Sequence, residues 1–264
     1  MEEKLHGVIR TDLWMEEDFS DPVKMCTEIL QAEEENPAPF YQYLRKFGMY
    51  KPNARSMQMF EQLKKKDIWA KVDRLHQHYR KKWNGPEIPI YIFPMDAAQR
   101  RLMLNGNGKS GVSFKDKMFL FLTPLDDEGE LKALFVHEYH HICRMREQKK
   151  DIRDYTLLDS MVLEGLAEHA VAKECGERYI GKWSARYSRR ELEFLWKKHL
   201  SGNLSIKKGQ RLHDELLFGS GRYPGLMGYA MGYEIISQYK RNKSFTAKAS
   251  FETLSDEFAK ILKF

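Results

Sequence analysis

The segment His137-Glu138-Tyr139-His140-His141 lies inside a stretch whose apolar residues, Leu131, Leu134, Phe135, Ile142 and Met145, recur at the period of an α-helix. No other feature of the chain limits its fold so tightly. Four residues along a helix turn about 400°, so His141 returns to nearly the face of His137, roughly 6 Å away and one turn higher. Both imidazoles can then converge on one metal ion, and Glu138, about 100° further round, can reach a water bound to it. Asp126, Asp127 and Glu128 stand at the N-terminal end of this helix, where its dipole favours negative charge. A metal site of this kind needs a third ligand.

A second helical period runs from about Leu157 to Glu174, with Met161, Val162, Leu166, Ala170 and Val171 as its apolar stripe and Gly176 as its stop. Within it, Leu163-Glu164-Gly165-Leu166-Ala167-Glu168-His169 puts two carboxylates four residues apart on one face, where they repel. Surface glutamates usually find a lysine or arginine one turn away. Here the positions three and four from Glu164 are Ser160, Met161, Ala167 and Glu168, and those around Glu168 are Glu164, Gly165, Val171 and Ala172. Glu138 is flanked in the same way by Leu134, Phe135, His141 and Ile142. Carboxylates on mostly apolar faces without a helical cation call for a metal.

At 264 residues the chain exceeds the roughly 150 expected of one average domain. With 42% hydrophobic and 12% aromatic residues it can build a core. No window approaches the roughly 18 consecutive apolar residues of a membrane helix, and Met1-Glu2-Glu3-Lys4-Leu5-His6 lacks the pattern of a secretion signal, so a cytoplasmic location is expected. Cys26, Cys143 and Cys175 form no C-x-x-C pair, and neither a disulfide framework nor a cysteine zinc site is indicated. The net charge of +6 sits in short clusters such as Lys149-Lys150, Arg189-Arg190 and Lys240-Arg241 with no recognition motif, so nucleic acid is not an expected partner.

Residues 1–85 read as an N-terminal helical region, with helical spacing from Asp21 to Phe47 and from Ser56 to Trp83. After Asn84-Gly85-Pro86, Ile88 to Phe93 reads as a strand. Gly106, Gly108 and Gly111 mark a loop, and Val112-Ser113-Phe114 and Met118 to Leu122 read as two short strands. Further helices are expected near Trp183 to His199 and from about Leu226 to Tyr239. The expected class is α+β, mainly helical, with a small mixed sheet and with 86–264 as the catalytic region, the whole being one continuous unit.

His137-Glu138-x-x-His141 followed by Glu164-Gly165-Leu166-Ala167 resembles the gluzincin arrangement of zinc metallopeptidases. With Tyr223-Pro224-Gly225 and Gly228-Tyr229-x-x-Gly232-Tyr233 added, residues 86 to 240 resemble the bacterial YjaZ-type family of predicted zinc-dependent proteases. Leu163 stands where gluzincins commonly have Asn. The metzincin alternative fails, because Arg144 and Glu147 occupy positions where that class needs Gly and a third His.

The resemblance implies a zincin-like metallopeptidase fold whose active-site helix carries the H-E-x-x-H motif. It also implies Zn²⁺ held by His137, His141 and Glu164, and Glu168 accepting a hydrogen bond from a ligand histidine, His137 first. Glu138 becomes the general base toward a peptide or protein substrate. Tyr229 ranks first as donor to the oxyanion, ahead of Tyr223, Tyr233 and His213. The segment from Gly111 to Phe114 is the candidate edge strand for an extended substrate. His140 reads as a surface or supporting residue, His76 and His78 as exposed, and His169 as a minor alternative to Glu168. Two rivals remain: a non-catalytic zinc-stabilised binding or regulatory protein, and a basic nucleic-acid-binding module in which the motif is accidental.

Overall fold

In the computed structural model, residues 6–30, 36–99, 103 and 106–264 are described. One sheet is built from β1 (Gly7–Val8), β2 (Pro89–Pro94), β3 (Lys109–Ser113) and β4 (Met118–Leu122), in the order β1-β2-β4-β3. β2 pairs in parallel with β1 and β4, whereas β3 runs antiparallel to β4 with Ser113 opposite Met118. The central strands read as unbroken apolar runs because they are covered on both faces; β4 is buried at every position. β3, at the edge, is half-buried throughout.

Among the described residues, five helices lie between β1 and β2: α1 (Thr11–Asp18), α2 (Pro22–Leu30), α3 (Pro37–Lys46), α4 (Ala54–Lys65) and α5 (Ile68–Trp83). The Asn36 side chain caps α3, and Asn53 with Ser56 closes a reciprocal cap on α4. After the sheet come α6 (Glu128–Gln148), α7 (Leu157–Cys175), α8 (Arg189–Leu195), α9 (Arg211–Phe218), α10 (Met227–Asn242), α11 (Ala247–Glu252) and α12 (Ser255–Ala259). Thr156 and Asp159 cap α7 reciprocally, and Gly176, at φ 104°, ends it as its position in the sequence predicts. The described chain is thus mainly helical with a small mixed sheet.

The chain divides into two compact units, residues 1–138 and 139–264, at a point inside the unbroken helix α6. The first unit contains the sheet. The second is all helical and buries Leu157, Met161, Leu166, Leu216, Met231, Ile235 and Phe258 in its core. No described helix is long and apolar enough to cross a membrane.

Three local expectations are corrected. β1 lies in the region read as purely helical, its two residues being too few to show alternation. β3 starts at Lys109, so Gly111 belongs to the strand and not to the loop. The helix expected from Trp183 begins at Arg189, after a 3₁₀ turn at Lys182–Ala185; Ser188 and Glu191 form its cap.

Candidate metal centre

Helix α6 runs without a break through His137 and His141, and Val136, Tyr139 and Ile142 bury it around the histidines. The His141 side chain is 8% exposed, and its Nε2 lies 3.6 Å from Oε2 of Glu164 on α7, itself 14% exposed. One ligand atom from each of His137, His141 and Glu164 lies within 4.8 Å of the others. A separation of 3.6 Å exceeds a hydrogen bond. It is close to the roughly 3.3 Å between two ligands of a tetrahedral zinc with bonds near 2.0–2.1 Å. Two neutral imidazoles and one carboxylate are the donor set of open, catalytic zinc sites, so these residues fit the ion.

Helix α7 is held where Glu164 can take part. A Cβ on Gly165 would come within 2.3 Å of the Gly232 carbonyl oxygen, and a Cβ on Gly232 within 1.9 Å of that of Met161. Only glycine at both positions lets α7 and α10 cross so closely. One turn before Glu164, the Ser160 hydroxyl lies 2.9 Å from Nε2 of His213, whose Nδ1 is 2.8 Å from the Asp214 carboxylate. The carboxylate can only accept, so Nδ1 donates to it. His213, one of the candidate oxyanion donors, is fully buried on α9. One turn after Glu164, Glu168 is buried and accepts the backbone N–H of Gly181.

Glu138 is 7% exposed. Its Oε2 lies 2.6 Å from Oγ of Ser113, the last residue of β3. A Cβ on Gly111 would meet Glu138 Cγ at 2.5 Å, so the carboxylate side chain lies across the bare backbone of the edge strand. Sequence reasoning named Gly111 and Ser113 only as parts of a substrate edge. The signal was their i, i+2 spacing, which puts both side-chain positions on one face.

The remaining candidates sort by burial. Tyr229, half-buried on α10, packs edge-on against Trp183 at 5.2 Å and tilted against Phe218 at 5.7 Å. Tyr233 stacks on His169 at 4.2 Å. Lys240 Nζ, 3.2 Å away, donates to His169 Nδ1, so Nε2 donates to the Tyr233 carbonyl or the Ser237 hydroxyl, each at 3.1 Å. Burial, reinforced by Lys240, pushes the His169 pKa down to about 4.

His140 is not at the surface; its Nε2 lies 3.0 Å from Ser250 Oγ and its ring packs on Phe251. His76 is buried as well, which pushes its pKa down, whereas His78 is exposed. Arg144, which the sequence offered only as an argument against metzincins, is 2% exposed and donates to the Ser250 carbonyl at 2.7 Å.

A largely buried His₂Glu cluster on two helices of a mainly helical chain with a small mixed sheet has the donor set of the class of zinc-binding proteins. The family model described as "Predicted Zn-dependent protease (DUF2268)" matches residues 68–260, and the chain belongs to that family. It is also 38% identical over 208 residues to "Uncharacterized protein YjaZ" of Bacillus subtilis (strain 168), which covers 79% of this chain and 80% of that one. No solved structure matches the chain.

Proposed function

We propose that the chain is a zinc metallopeptidase of the gluzincin type with a zincin-like fold, hydrolysing peptide bonds in a peptide or protein substrate. The observation that carries this reading is the convergence of His137, His141 and Glu164 at a His–Glu distance too long for a hydrogen bond. Zinc, when bound, supplies Lewis acidity that polarises a carbonyl and brings the pKa of a water to about 7.

The chain's own residues do the rest. Glu138 Oε1 accepts a proton from the water as its oxygen bonds to the carbonyl carbon, while Oε2 stays with Ser113. The same proton goes to the amine nitrogen as the C–N bond breaks. Tyr229 is the donor offered to the oxyanion, and Glu168 the carboxylate that steadies the His137 ring.

An extended substrate has a place to pair. Thr123 N donates to Gly108 O and Phe114 N to Lys117 O, both at 2.9 Å, which sets the phase of the β3–β4 ladder. Gly111 and Ser113 then direct their backbone N–H and C=O groups away from β4, as Lys109 does its C=O, while the Lys109 N–H donates to the Gly106 carbonyl at 3.1 Å. Gly111 and Ser113 are also the residues against Glu138, so a peptide added to this edge lies beside the base.

The test is elemental analysis of protein purified without chelator, followed by a peptide-library screen. Near one equivalent of zinc is expected, lost in Glu164→Ala and retained in Glu138→Gln. Turnover should fall by about 10²–10⁴ in Glu138→Gln. Absence of metal and of uptake on adding zinc would refute the proposal. Zinc with no turnover in either protein would move the reading to a zinc-stabilised binding protein.

A further inference from the structure

Glu138, the proposed general base, has its carboxylate fastened from the sheet. We propose that Ser113, with the bare Gly111 beside it, is the positioning residue for this base, an inference that rests on the peptidase reading above. The Ser113 hydroxyl is 2.6 Å from Glu138 Oε2 and 3.0 Å from its backbone oxygen, so a single donor reaches both ends of the residue. It engages Oε2, one of the two carboxylate oxygens. Being neutral, it fixes direction without supplying the counter-charge that a lysine would.

Gly111 supplies the space. A Cβ there would lie 2.5 Å from Cγ, 2.6 Å from Cδ and 2.7 Å from Oε1 of Glu138, so any side chain would push the carboxylate off the strand. The third residue of this face, Lys109, forms an ion pair with Glu130 two turns earlier on α6. Four strand residues span about 13 Å and eight helical residues about 12 Å. Strand and helix therefore stay in step from Lys109–Glu130 to Ser113–Glu138, and the hydroxyl arrives where the base is. The Glu138 side chain is thereby held in one setting on an edge strand whose Gly111 and Ser113 turn their outer backbone groups away from β4.

The experiment combines kinetics with ¹³C NMR on full-length protein carrying [δ-¹³C]glutamate; the carboxyl resonance missing from Glu138→Gln is that of Glu138. Ser113→Ala should move this resonance and Ser113→Thr, which keeps the hydroxyl, should leave it in place. Ser113→Ala should lower kcat about 10- to 100-fold with KM changed less than about twofold. Zinc content and melting temperature should match wild type, and Ser113→Thr should recover most of the rate. In a Glu138→Gln background, Ser113→Ala should cost nothing more.

An unmoved resonance in Ser113→Ala would overturn the contact, whether or not the protein cleaves peptides. A moved resonance with unchanged kcat, a loss confined to KM, or an equal loss in the Glu138→Gln background would overturn the positioning role alone. Wild-type protein that turns over nothing in the library would overturn the peptidase reading and this role with it, while the resonance still reports the contact.

Discussion

His169 shows how surroundings decide what a histidine does. Its neighbour Glu168 made it a conceivable ligand in the sequence, yet its ring is stacked on Tyr233 and engaged at both nitrogens. With a pKa near 4 when folded and about 6.5 when unfolded, the unfolded chain binds more protons between those values. Stability from this group is therefore fully present above about pH 6.5 and is lost as pH falls toward 4, by up to about 3 kcal/mol. Urea titrations from pH 7 to pH 4.5 should show this slope in wild type, and His169→Gln should flatten it. His140 and Arg144 follow the same lesson. Both were legible as members of the motif helix, but their partners, Ser250, Phe251 and Ser255, lie more than 100 residues away, and no local pattern announces them.

Between elements, glycine carries much of the design. The crossing of α7 and α10 at Gly165 and Gly232 brings backbone against backbone, where a methyl group meets a carbonyl that cannot turn aside. Gly165→Ala should cost about 1–3 kcal/mol in chemical denaturation. Because Glu164 is the adjacent residue, the same substitution should weaken zinc binding in a competition titration. At the sheet edge, the ladder phase predicts alternation. Scanning a good substrate with N-methyl groups should abolish turnover at every second position flanking the scissile bond, whereas uniform sensitivity would argue against pairing on β3. The helices were legible where the helical period and a stop signal agree, as at Gly176. β3 was half legible: a glycine inside a strand reads as a break, and its reason here, room for Glu138, lies 27 residues further along the chain.

For the molecule as a whole, the proposed ligands join two helices, so metal binding should appear in global stability. At free zinc about 100 times the dissociation constant, linkage adds about 2.7 kcal/mol, or roughly 5–10 °C in melting temperature for a chain of this size. A chelator should reverse the gain, and His137→Ala should remove it. The positive charge of the chain is in part neutralised locally, as in Lys197 with Glu193 and Lys207 with Asp154.

What the sequence determined by itself was the helical period, the one-turn spacing of His137 and His141, and the lack of a lysine or arginine three or four positions from Glu164, because all three depend on residues within a few positions of one another. Family membership was legible for the same reason, since the motifs that carry it are local. Only the tertiary structure decided that Glu164 lies against His141, that Ser113 holds Glu138, and that His140, His169 and His213 are interior. Those facts depend on which distant backbones pack together, and close packing is specified by the whole chain rather than by any window of it.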